Sequence, residues 1–453
     1  MIKDMTHGSP TLLILGFAVP LLAGMIFQQL YNLVDTMIVG RFLGVQALAG
    51  VGATGSINFL VLGFGMGVCA GFAIPVAQCF GAREESRMRE YVANGVWLSF
   101  GFAAVFTVLT VVFCRDILTL MNTPQDCFQE AYDYIVVIFA GIPLLLLYNL
   151  LSGYLRSLGD SRTPLFFLVL SSLLNVALDL LFILVFRMGV LGASLATVVS
   201  QGVSGVLCLL WIAARVPVLH ISREEWTPRP RRMRVLCTYG VPMGLQYSIT
   251  AIGCVVLQVA VNSLGSVAVA AMTASSKVLN FLACPFDALG STMATYGAQN
   301  VGASRYDRLN RGVFAASAMG FVYSVAAFIV AWCFGRALTG LFVEGAGNAA
   351  LIDLAQQYML VNVAFYPLLT LVNVVRFAIQ GMGFSGFAII AGVLEMIARS
   401  LAGITLVPAL GFLGVSLGAP LAWILADLFL IPAYFRCRRL LYGRANPIYV
   451  AQS

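Results

Sequence analysis

Apolar residues arrive along this chain in long unbroken runs, separated by short polar breaks rich in arginine. An α-helix rises 1.5 Å per residue, so about 20 apolar residues cross a hydrocarbon core about 30 Å thick. Runs of that length lie over residues 12–39, 48–79, 91–114, 131–155, 164–186, 190–214, 235–262, 268–298, 312–335, 352–378, 386–407 and 412–436. They predict an all-α integral membrane protein with twelve transmembrane helices, because only helices and closed barrels satisfy their own backbone in lipid. Composition agrees: 60% of the 453 residues are hydrophobic and 10% charged, against about 25% charged in soluble domains. The mean hydropathy is +0.93.

The breaks fix an orientation. With the N-terminus inside, the inner segments hold 20 Lys and Arg, from Lys3 through Arg83, Arg156, the 215–234 stretch, Arg305 and Arg376 to Arg444. The outer segments hold four, namely Arg41, Arg115, Arg187 and Arg336. A miscounted span would invert every later loop and erase this asymmetry. Both termini are therefore expected in the cytoplasm of a multi-pass protein of a bacterial plasma membrane, with no cleavable signal peptide. The net charge of +7 is explained by the inner loops and does not point to nucleic acid.

Half of the chain is repeated in the other half. Gln78-Cys-Phe-Gly-Ala-Arg83 returns as Gln299-Asn-Val-Gly-Ala-Ser304, 221 positions on, and Gly189-Val-Leu-Gly-Ala-Ser-Leu195 as Gly411-Phe-Leu-Gly-Val-Ser-Leu417, 222 on. Pro20 and Gly159 meet Pro242 and Gly381 at the same spacing of 222. Six helices per half give both halves one orientation, so the repeats are parallel, as in many transporters. The expected division is an N-terminal bundle over 1–214, a linker over 215–234, a C-terminal bundle over 235–436 and a tail over 437–453.

Charges inside the spans are expensive and point to function. Asp35, Asp179, Lys277, Asp287, Glu395, Arg399 and Asp427 lie within apolar runs. Gln28, Asn32 and Asp35 share one face of the first helix by their spacing, as do Ser172, Asn175 and Asp179 in the fifth. Two stripes with one carboxylate each could face one another and bind a proton or a sodium ion. The alternative is that each Asp closes a static hydrogen-bond network. Glu395 and Arg399, four apart, can pair; the pair is either a fixed salt bridge or a gate. Pro20 removes one hydrogen bond from the first helix about four turns before Asp35, producing a static kink or a bending point.

No phosphate-binding GxxxxGK[ST], HExxH or GxSxG stretch occurs, so an enzyme is not expected. The ten Cys have no CxxC spacing and mostly fall in apolar runs, and the two His, His7 and His220, lie in polar segments. Neither a resident cofactor nor a bound metal is expected, apart from sodium at the Asp35–Asp179 stripes.

At Tyr31-Asn-Leu-Val-Asp-Thr-Met-Ile-Val-Gly40, Gly44 and Ala47-Leu-Ala-Gly50, the chain resembles the multidrug and toxic compound extrusion family. The likeness continues through Ala77–Gly81, Arg156–Asp160 and Gly189–Ala193 and their repeats. The resemblance implies two six-helix bundles arranged as a V, exporting organic cations or related amphiphiles in exchange for H⁺ or Na⁺. It implies a cation site at Asp35, Asn175, Asp179 and Thr197, a neighbouring cavity lined by Gln28, Asn149 and Ser172, and helix bending at Pro20. Asn32 joins that cavity from the spacing argument. Some members carry a second acidic site in the seventh and tenth spans. Here those spans hold Gln246, Asn373 and Arg376, which leaves Glu395–Arg399 as the candidate of that half. The expected protein is a secondary antiporter, working as a monomer in the lipid bilayer on small amphiphilic cations, with no nucleic-acid partner. The alternative is a flippase for a lipid-linked saccharide or another amphiphile, and a lipid-acting enzyme fits less well.

Overall fold

The structure, a computed structural model, describes residues 3–121, 123–340 and 349–444; residues 445–453 of the expected tail lie outside it. Among the described residues ten helices are long and apolar enough to cross a membrane singly, and two bent pairs, each taken as one span, bring the crossings to twelve. The first three are Pro10–Leu43, Gln46–Gly81 and Glu85–Val112. The fourth is the pair Phe128–Ala140 and Ile142–Ser157, bent by 50°. Arg162–Val185, Val190–Arg215, Pro230–Asn262, Ser266–Gly302 and Tyr306–Gly340 follow. The tenth is the pair Ala349–Ala364 and Tyr366–Gly381, bent by 49°, and Gly386–Leu410 and Phe412–Gly443 complete the set. Each span matches one apolar run, with ends that differ by up to seven residues, the helices mostly running longer, because in lipid a helix must continue until its backbone reaches water. Arg376 is the exception among the loop arginines. It sits buried inside the tenth span, five residues before its end at Gly381, so the inner count is 20 − 1 = 19.

The repeat is carried by backbone as well as by sequence. Gly81 and Gly302 end the second and eighth spans, and each is followed by a left-handed residue, Arg83 (φ 59°) and Ser304 (φ 57°). The closing bonds are also the same, with Glu84 N–H on the Cys79 carbonyl at 3.0 Å and Arg305 N–H on that of Asn300 at 2.8 Å. This is the Schellman closure of a helix C-terminus. A single π-helical turn interrupts the fifth span at Leu181–Val185 and the eleventh at Ala402–Leu406. One match is corrected. Gly159 (φ 80°) corresponds to Gly383 (φ 98°) rather than to Gly381, because the fourth and tenth spans are offset by two further residues.

Contacts divide the chain into two units, and the division does not fall in the linker. The first unit holds Ala23–Gly244 and the second holds Met5–Leu22 with Leu245 onward. The crossing points lie two residues beyond Pro20 and two beyond Pro242. Each helix stays unbroken there, but the ring removes a backbone donor and clashes one turn back, which eases a change of packing partner. The first unit is built around Phe72, Ile135, Phe139, Tyr154 and Leu155. The second has a core of Val261, Ala271, Ala355 and Val415.

Glycine sets the closest approach in the first unit. A Cβ on Gly67 would lie 2.7 Å from the Met243 carbonyl oxygen, and one on Gly71 would lie 2.7 Å from the Gly240 nitrogen. The partners are backbone, at Gly240 and Gly244, so two small-xxx-small stripes face each other. The linker is pinned to the third span by charge. Glu90 holds Arg229 and also Arg232 at 2.9 Å. Glu225 accepts from Arg89 Nε at 2.9 Å, the Ser222 N–H at 2.8 Å and the Ser86 hydroxyl at 3.0 Å. Burial alone would raise the Glu225 carboxyl, but the Ser222 N–H and Arg89 outweigh it and hold it below the usual glutamate range.

Two predictions follow from this packing. Gly71→Val destabilises the purified protein by about 1–3 kcal/mol, the range for overpacking a close contact, whereas Gly52→Ala, within a helix and with open space around it, does not lower its thermal midpoint. Glu225→Gln loosens the linker: charge-assisted bonds are each worth about 1.5–3 kcal/mol, so tryptic cleavage at Arg223 speeds up roughly tenfold. In the parent protein the same anchoring is present above the ordinary glutamate range and is lost as pH falls through the depressed value.

Candidate functional site

The first, fourth, fifth and sixth spans of the first unit converge on two buried carboxyls. Asp35 and Asp179 are 9% and 0% exposed and lie close enough to interact electrostatically. Asn175, one turn before Asp179, is 1% exposed. Oriented to satisfy both ends, its amide donates to Asp179 Oδ2 at 3.1 Å and accepts the Thr197 N–H at 3.1 Å. Thr197 Oγ1 lies 3.2 Å from the same amide. Asp35 Oδ1 and Asp179 Oδ1 have no hydrogen-bond partner.

Tyr31 and Tyr134 complete the cluster. Both lie within electrostatic range of the two carboxyls, and Tyr31 stands beside Thr197. Tyr31 was legible, since it sits four residues before Asp35 on the same helix face. Tyr134 was not, because it comes from the fourth span with no pattern linking it to an Asp. The π turn at Leu181–Val185 begins two residues after Asp179, a device that often marks functional positions in helices.

The remaining candidates fall outside this cluster's hydrogen bonds. Gln28 and Asn32 are exposed on the first span. Asn149 and Ser172 turn back to carbonyls of their own helices, Leu145 at 2.8 Å and Leu168 at 2.9 Å. Pro20 lies within a continuous helix. Among the described residues no three His, Cys, Asp or Glu side chains gather as a metal cluster would require, and all ten cysteines are free.

The second unit handles charge differently. Glu395 and Arg399 pair at 3.5 Å, but Glu395 also bonds Arg376 of the tenth span. Asp287 lies 3.5 Å from the Asn373 amide nitrogen, and Gln246 and Gln380 join at 2.6 Å. Sequence spacing could find the partner four residues away on one helix. It could not find Arg376, which lies on a different span.

Two close carboxyls with oxygens lacking donors repel each other when both are ionised. A proton shared between them, or a hard cation taking oxygen ligands from Asp35, Asp179 and Thr197, removes that repulsion.

Known proteins agree with the architecture. The MatE family model matches residues 20–181 and again 242–422, displaced by the repeat spacing. A relative described as a probable multidrug resistance protein, YoeA of Bacillus subtilis, is 28% identical, with 72% of each chain covered. An FAD transporter of Shewanella oneidensis is 25% identical over 73% of this chain and 74% of its own. A solved structure of a multidrug resistance MATE family transporter, in an outward-facing conformation, superposes with a TM-score of 0.90 at 21% identity. It covers 97% of this chain and 98% of its own. With its twelve apolar crossings, doubled half and matching family model, the chain belongs to the MATE family of multi-pass membrane transporters and is not an enzyme.

Proposed function

We propose that this transporter exports small amphiphilic cations in exchange for H⁺ or Na⁺, which bind at Asp35 and Asp179. The observation that carries the reading is the close pair of buried carboxyls, each with an oxygen that has no donor. An ion from outside binds those oxygens and removes negative charge, which weakens the hold on a cationic substrate. Loss of the ion to the cytoplasm restores the charge and favours loading. Such mutual exclusion is what couples two fluxes in opposite directions. Asn175 and Thr197 fix the Asp179 carboxyl, and bending of the first span near Pro20 links occupancy to rearrangement. Gln28, Asn32, Asn149 and Ser172 supply polar groups near the substrate path. The arginine asymmetry supports cytoplasmic termini in a plasma membrane, and the chain works as a monomer.

A second reading is transport of an anionic amphiphile, such as a lipid-linked saccharide carried on a diphosphate. Two buried arginines share one glutamate in the second unit, and one relative is named for FAD, itself a diphosphate.

Proteoliposomes loaded with a fluorescent lipophilic cation distinguish these readings, with a pH gradient and a Na⁺ gradient imposed separately. One gradient drives efflux in the wild type, and Asp35→Asn and Asp179→Asn each lower the driven rate at least tenfold. Wild-type rates in Asp35→Asn would overturn the coupling site. Efflux of an anionic but not a cationic probe would favour the second reading.

A further inference from the structure

Away from the Asp35–Asp179 site, the second unit buries a carboxyl that the coupling reading does not use. Asp427, in the twelfth span, is 4% exposed, and neither of its oxygens has a hydrogen-bond partner. An ionised carboxylate in that condition forfeits its hydration and receives nothing in return. One complementary cation is in range and has a donor that is also unused. Arg376 lies within electrostatic range of Asp427, and its Nε, like Arg399 Nη1, is buried without an acceptor.

The neighbours show why Arg376 does not simply bond to Asp427. Facing the twelfth span, the eleventh presents Glu395 and Arg399, and the tenth presents Arg376. Glu395 takes both arginines, Arg376 through Oε1 and Arg399 through Oε2. Around this group stand Asp287 of the eighth span and Tyr247 of the seventh, both in range of Arg376, with Tyr358 of the tenth in range of Arg399. If all four central groups were ionised, two positive charges would balance two negative ones, but one of the negatives would remain unbonded. If Asp427 carries a proton, its neutral acid no longer demands a cation, and Glu395 can hold both arginines.

Glu395 keeps one arginine if the other leaves. That gives the cluster a second stable arrangement, with Arg399 on Glu395 and Arg376 on an ionised Asp427. The charge sum is then zero and Asp427 is bonded. The two arrangements differ by one proton, released from the Asp427 carboxyl to water. A π-helical turn begins three residues after Arg399, at Ala402, where the repeat places its counterpart after Asp179. Such turns hold an extra residue that can shift along a helix.

We propose that Asp427 is a proton-exchange site of the second unit and that Arg376 is its switch, bonded to Glu395 when Asp427 carries a proton and to Asp427 when the proton has left. Glu395 and Arg399 are positioning residues that hold the first arrangement. The site is separate from Asp35 and Asp179 and does not depend on their role.

The test is the infrared difference spectrum between acidic and alkaline buffer, recorded on the purified full-length protein in lipid. An Asp35→Asn/Asp179→Asn background removes those two carboxyls from the signal. The carbonyl stretch of a protonated carboxylic acid should appear at acidic pH and disappear at alkaline pH. Asp427→Asn, close in shape, removes that component, and Asp427→Glu restores it at a shifted frequency. In Glu395→Gln the freed Arg376 turns to Asp427, which stays ionised, and the component is lost although Asp427 is present. A band unchanged by Asp427→Asn would overturn the proton site, and a component surviving in Glu395→Gln would overturn the switch. Should Asp427→Asn fail to fold, Asp427→Glu decides, because absence of the shifted band also overturns the site.

Discussion

The charges buried among these helices, Asp35, Asp179, Arg376, Glu395, Arg399 and Asp427, lack water, and the arrangement around them follows from how that deficit is met. Backbone groups meet it within each helix, which is why the chain is a set of long crossings. Ionised side chains cannot do so alone. Each must find a partner on another span, carry a proton, or hold a ligand ion.

The two units answer the same demand with opposite chemistry. In the first, two buried carboxyls, Asp35 and Asp179, are set close to one another, each with an oxygen that has no hydrogen-bond partner. In the second, opposite charges are gathered around Glu395, so that the arrangement is nearly self-sufficient. The unsatisfied atoms differ accordingly: carboxyl oxygens alone at Asp35 and Asp179, and both carboxyl oxygens and guanidinium nitrogens around Asp427. A common frame, inherited by duplication, thus carries two distinct electrostatic designs.

That frame is maintained by local backbone chemistry. Schellman closures after Gly81 and Gly302, left-handed glycines at Gly189 and Gly411, and π turns in the fifth and eleventh spans recur in register. Side chains have diverged around them, since a helix end needs a particular backbone conformation, whereas a lipid-facing position accepts almost any apolar residue. Prolines 20 and 242 belong to this shared set. Just beyond each, its helix passes from one unit to the other, so a helix counted in one half of the sequence begins in the other unit.

The number of spans, their ends and the duplication were legible in the chain, because hydrocarbon thickness sets helix length and the closing glycines recur at fixed spacing. Asp35 and Asp179 stood out because ionisable residues are rare in apolar runs, and spacing along one helix added Asn175 and, read more fully, Tyr31. Relations across spans required the fold. Nothing in the spacing placed Tyr134 beside Asp35, moved Arg376 from a loop into the Glu395 cluster, or divided the units beyond Pro20 rather than in the linker. The physical reason is the reach of each rule. Helical periodicity relates residues a few positions apart on one helix. The partner of a buried charge is set by which helices pack together, and that is decided by close-packed surfaces such as Gly67 and Gly71 against Gly240 and Gly244.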